Sequence, residues 1–390
     1  MPEADLSRSA SRYPTFSDAE LARRLAAVRT RMDDEDLDAL LLYGTGRVPE
    51  IQYLTNWPGT RESFLVVSRH LPPTLLVQLY NHVPNAQRVA TISDVHWAGT
   101  SPSDTLAAVL EPVPIHEGVV GLVGAWPWRI VDGLKVALKG IGYVDASPIL
   151  RDLRTVKSAE ELGRLRIAAR LTDAAMRALE SDVRPGMRED ELAAIVEGAY
   201  LREGGANSIH FMATTPMRAP EIGVPSQIPS ARVIERGDVL ITEIGAEWWG
   251  YAGQIHRAYT IGADPTKQYE RLHDAAVAAF ERIVAVLRDG ATVADVLDAA
   301  DVIHERGFTI YDDLLHGTSQ LPPIIQTRAT KRGDWAEDFV FRENMVVVVQ
   351  PNVVTDSSGR VGLQVGETVR ITRAGVERLH DYPMRFIRVG

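Results

Sequence analysis

Gly237-Asp-Val-Leu-Ile-Thr-Glu-Ile-Gly-Ala246, followed past Gly250 by Tyr251-Ala-Gly-Gln-Ile-His-Arg-Ala-Tyr-Thr-Ile261, is the stretch on which the fold turns. Both runs are rich in β-branched residues and punctuated by glycine, which predicts strands. Side chains alternate along a strand, so Gln254 and His256 share one face.

Reading outward, a helix is predicted ahead of these strands. Ser158 and Glu161 have capping-box spacing, each side chain able to satisfy a backbone N–H at the helix start. Leu162, Leu165, Ala169, Met176 and Leu179 mark its apolar face, and Pro185-Gly186 stops it. A second helix carries Leu192, Ile195, Val196 and Ala199 up to Gly204-Gly205. Beyond the strands the pattern repeats. One helix uses Tyr269, Leu272, Ala276, Phe280, Ile283 and Leu287, and another Val296, Leu297, Ala300 and Ile303 before Gly307. Arg184-Pro-Gly186 and Arg288-Asp-Gly290 stand at equivalent turns, and the second unit also leads into β-branched runs, 345–349 and 368–372. Two helices then a sheet, twice, is an internal duplication. It predicts one curved antiparallel sheet with helices outside and a pocket on the concave face, between the halves.

The N-terminal part reads differently. A helical pattern through Leu21, Leu25, Val28 and Met32 precedes strand-like runs at 37–43, 64–67, 74–78 and 119–123, with helices at 104–110 and 128–138. That βα alternation predicts a largely parallel sheet ending near Asp152. The expected division is an α/β domain over 1–152 and an α+β domain over 153–390, since 390 residues exceed one comfortable core. No apolar run is long enough to cross a bilayer, and the first 32 residues lack the apolar core of a signal peptide, so a cytoplasmic protein is expected. The absence of cysteine excludes disulfides, a thiol nucleophile and thiolate metal ligands. The net charge of −10 comes without basic clusters, which excludes nucleic acid as a partner.

Several segments together resemble the creatinase and Xaa-Pro peptidase family, M24, whose second domain has the pita-bread fold. They are 237–246 with Gly250-Tyr251 and Arg257, His316-Gly317 with Pro322-Pro323, Asn344-Met345 through Gln350-Pro351, and 362–372 with Gly375 and Leu379. Leu37-Asp38-Ala39-Leu40 and Tyr53-Leu54-Thr55-Asn56 are similar to its N-terminal domain. The resemblance implies a homodimer in which one subunit's N-terminal domain lies near the other's pocket. In metallopeptidase members it implies Asp, Asp, His, Glu and Glu around two divalent ions. Position by position, this chain offers Glu243, Gln254, His316, Gln350 and Gly366 instead, and Ser226 stands near the family's substrate-side histidine. One carboxylate cannot balance two divalent cations, and neutral amides do not offset the cost of desolvating them. No metal and no other cofactor is expected.

The concave face is expected to gather Glu243, Gln254, His256, His316, Gln350 and Gln364, the last by strand alternation with Gly366, with His210 at its border. One carboxylate, imidazoles and amides form a set for hydrogen bonding and proton transfer. Creatinase, which keeps the fold without metal and uses a histidine, is similar in this respect. The expectation is a metal-independent hydrolase of a C–N bond in a small polar, nitrogen-bearing metabolite. Glu243 and His316 would be catalytic; Gln254, His256, Gln350, Gln364 and His210 would bind substrate. The alternatives are lyase-type elimination in the same pocket, a mononuclear-metal hydrolase using Glu243, His256 and His316, or a non-catalytic protein that binds a small ligand.

Overall fold

The computed structural model describes residues 13–115, 118–331 and 338–390. Residues 1–12, the start of the stretch read above for a leader, lie outside them. The chain forms two compact units that divide between Arg154 and Thr155.

The first unit is built on strands β1 (Ala39–Gly44), β2 (Ser63–Ser68), β3 (Thr74–Val77), β4 (Val95–Trp97), β5 (Val119–Val123) and β6 (Gly142–Asp145), ordered β4-β3-β2-β1-β5-β6. The sheet is mixed rather than largely parallel: β1 with β2 and β2 with β3 are antiparallel, while β3 with β4, β1 with β5 and β5 with β6 are parallel. The link from Ser68 to Thr74 is too short for the crossover that a parallel pair requires. Leu41, Phe64, Leu76 and Val120 pack with Leu106, Ile130 and Leu134 of two covering helices to form the core.

The second unit opens with helix Ala159–Asp182, whose capping box is formed in both directions by Ser158 and Glu161. Its strands are β7 (Ala206–Pro216), β8 (Asp238–Trp248), β9 (Tyr251–Ala252), β10 (Ile255–Ile261), β11 (Thr309–Ile310), β12 (Leu315–Gly317), β13 (Ile324–Ile325), β14 (Val346–Val349), β15 (Asn352–Val354), β16 (Gly362–Gln364), β17 (Gly366–Ile371), β18 (Val376–Arg378) and β19 (Ile387–Val389). The main sheet runs β13-β12-β14-β17-β10-β8-β7, and its path is antiparallel throughout. Helices Ala159–Asp182 and Leu192–Leu201 bury Leu171, Met176, Leu179 and Val196 against Leu240, Ile244 and Tyr259 of the first half. Helices Lys267–Val286 and Val293–Ala300 bury Phe280, Ile283 and Val296 against Val347, Val349 and Val369 of the second. This is the duplicated pita-bread architecture, and the two halves meet where β10 pairs β17.

A buried ion pair holds that seam. Arg257 on β10 reaches Glu367 on β17 at 2.6 Å with both side chains fully buried. The same guanidinium donates to the carbonyls of His256, Gly366, Tyr382 and Pro383. Among the described residues no helix is long and apolar enough to cross a membrane.

Candidate functional site

Pairing across the seam sets one row of residues side by side. Phe211 lies opposite Glu243, Glu243 opposite His256, and His256 opposite Gly366. Opposed residues of an antiparallel pair share a face, so this row looks into the concave side. Val239 and Ile241, on Glu243's face of β8, belong to the apolar core. The polar site begins where that face reaches Glu243.

Five of the seven residues expected at the site form one connected group. Gln254 Nε2 donates to Glu243 Oε1 at 2.9 Å and to Gln350 Oε1 at 3.3 Å, and lies 3.4 Å from His256 Nε2. His316 Nε2 lies 3.1 Å from Gln350 Oε1, and its Nδ1 donates to the Gly317 carbonyl at 2.8 Å. His256 Nε2 is 3.7 Å from Glu243 Oε1, an ion-pair distance rather than a hydrogen bond. All five side chains are buried or nearly so. Burial alone would raise the Glu243 carboxyl; attraction from His256 and His316 and the Gln254 donor outweigh it and hold it below the usual range.

Two expected members stand elsewhere. His210 lies opposite Ile244, on the helix-covered face, and pairs with Glu197 at 2.9 Å and with Asn207. The cause is a β-bulge between Asn207 and Ile209. In an unbroken ladder His210 would face Glu243; the extra residue moves it to the other side and brings Phe211 in. Gln364 is fully buried, but on β16, in a separate sheet beside Asn352. The break at Val365 means that strand alternation does not carry over from Gly366. Both amide atoms of Gln364, Oδ1 of Asn352 and Nδ1 of His256 are buried without a protein partner.

Sequence reasoning missed Asp312, which precedes β12. Its carboxyl keeps accessible surface but sits in crowded surroundings, and burial, Asp313 and Glu243 together raise it above the ordinary range. Its charge acts on Glu243 from the loop before β12, an approach that no spacing signal marks. Phe211 escaped for the same reason: a bulge is invisible to periodicity.

The metal positions implied by the family do not suit a metal here. Among the described residues no group of three or more His, Asp or Glu side chains is placed to hold an ion. The Gln254 amide nitrogen lies among Glu243, His256 and Gln350, at 2.9, 3.4 and 3.3 Å. At 366 a Cβ would lie 2.2 Å from the Val349 carbonyl oxygen and 2.6 Å from Gln350 Cα, so the backbone leaves no room for a carboxylate side chain.

Fold and site define a two-unit protein with the pita-bread domain second. Residues 163–373 match metallopeptidase family M24 and residues 24–156 match the creatinase/prolidase N-terminal domain. The chain belongs to family M24. It is 23% identical to an Xaa-Pro dipeptidase of Pyrococcus horikoshii over 89% of this chain and 94% of that one. It is 26% identical to an uncharacterized hydrolase/peptidase of Sinorhizobium fredii over 94% and 96% of the two chains. Among solved structures, X-Pro aminopeptidase from Thermotoga maritima superposes with a TM-score of 0.80 at 22% identity, covering 94% of this chain and 99% of that one. Dipeptidase PepE from Mycobacterium ulcerans gives 0.78 at 24% identity, covering 96% and 100%.

Proposed function

We propose that the protein is a metal-independent hydrolase of a C–N bond in a small polar, nitrogen-bearing compound. The observation that carries this reading is the connected group of Glu243, Gln254, Gln350 and His316, in which amides stand where a dinuclear centre would need carboxylates. Glu243, held ionised, is suited to accept a proton from water. His316, fixed through Nδ1 and with Nε2 against Gln350 Oε1, is suited to protonate the departing nitrogen.

The relatives' names favour a second reading, an Xaa-Pro dipeptidase. A thermal-shift screen of small amides, ureas and guanidino compounds, followed by turnover assays, separates the two. With the substrate in hand, His316→Ala should abolish turnover with the fold intact, and Glu243→Gln should cut it by about 100-fold. Normal turnover by His316→Ala would remove the catalytic assignment. Proline release from Xaa-Pro dipeptides by the purified protein with manganese or cobalt would establish the second reading.

A further inference from the structure

We propose that Gln254 and Gln350 link the protonation of Glu243 to that of His316, so that His316 Nε2 gives up its proton only when Glu243 holds one. The inference rests on the acid–base reading above and adds a positioning role for the two amides. It follows from which atoms can donate.

The Gly317 carbonyl only accepts, so His316 Nδ1 carries a proton. His316 Nε2 faces one terminal atom of Gln350, that atom faces one terminal atom of Gln254, and the latter faces Glu243 Oε1. Each carboxamide can be turned either way, but every contact needs one donor and one acceptor. If Gln350 presents oxygen, His316 Nε2 must carry a proton, Gln254 must present its NH₂, and Glu243 Oε1 accepts, as a carboxylate or as the carbonyl oxygen of the acid. If Gln350 presents its NH₂, His316 Nε2 is unprotonated, Gln254 presents oxygen, and Glu243 must carry the proton. A neutral His316 beside an ionised Glu243 puts two acceptors or two donors in contact somewhere along the chain.

These two arrangements are the states before and after one hydrolytic turnover. Water forms the new C–O bond and gives a proton to Glu243; the C–N bond breaks, and the leaving nitrogen takes the His316 Nε2 proton. Glu243 is then neutral, His316 is neutral, and both amides turn over. Return of the Glu243 proton to His316 by way of solvent resets the site. His256 and Asp312 are the other titratable groups whose charge acts on Glu243. His256 Nε2 lies 3.7 Å from Glu243 Oε1 and 3.4 Å from the Gln254 amide.

The test needs no substrate, so it is independent of the proposed reaction. In protein labelled with ¹⁵N-histidine, ring-nitrogen spectra report whether His316 Nε2 is protonated, and ¹³C-glutamate spectra report the Glu243 charge. Wild type should show Nε2 protonated while Glu243 is ionised. Gln350→Met keeps the side-chain volume but not the acceptor, and should weaken the Nε2 proton by tenfold or more; Gln254→Met should do the same from one step further away. The second variant serves if the first fails to fold. An unprotonated Nε2 beside ionised Glu243 in wild type would overturn the proposal. So would unchanged Nε2 protonation in the folded variants.

Discussion

At the scale of single residues, Gly366 decides more than the residues with chemistry. Its missing side chain lets β17 approach the backbone of Val349 and Gln350, and a methyl group there would lie 2.2 Å from a carbonyl oxygen. Gly366→Ala should therefore destabilise the protein by about 2 kcal/mol, as overpacked cores do, measured by chemical denaturation. A stability equal to wild type would show that the strands can part at no cost. Glu243, Gln254, His316 and Gln350 were legible in the sequence because Glu243 and His316 lie on strands and Gln254 and Gln350 directly beside strand ends, all in recognisable segments. Asp312 and Phe211 were not, since one arrives through a loop and the other through a bulge.

At the scale of elements, the helix–helix–sheet repeat was readable from apolar spacing and caps, and Ser158 with Glu161 forms the reciprocal cap its spacing predicts. Alternation failed where strands were interrupted: at Asn207–Ile209, which turned His210 outward, and at Val365, which put Gln364 into another sheet. The hinge of the two halves is the Arg257–Glu367 pair, which no periodicity announces. Glu367→Gln leaves a buried guanidinium without its counter-charge and should cost about 3 kcal/mol. Denaturant midpoints would measure the loss; a change below about 0.5 kcal/mol would mean that the carbonyl acceptors alone suffice.

At the scale of the whole molecule, the site draws on both halves of the pita-bread unit: β8 and β10 supply Glu243 and His256, while β12 and the end of β14 supply His316 and Gln350. A metal bound there would tie the halves together and raise the melting temperature, by about 2.7 kcal/mol of stabilisation at a hundredfold excess over its dissociation constant. Manganese, cobalt or chelator should leave the midpoint within about 1 °C of the untreated protein, well below the shift that stabilisation would bring. A clear rise with either ion would sink the metal-independent reading. The family resemblance also leads us to expect a dimer, and light scattering at micromolar concentration should give twice the 42.9 kDa chain mass. A single-chain mass would remove that expectation.

The bulge in β7 makes the site depend on chain length as well as on composition. Taking out Phe211 would let the bulge close with Asn207 still opposite Ala246 and Met212 still opposite Thr242, and in that continuous ladder His210 would take the place of Phe211 beside Glu243. An apolar wall would become a third imidazole through the loss of one codon. Deletions in this strand thus reach chemistry that no single replacement at positions 243, 254, 256, 316 or 350 reaches.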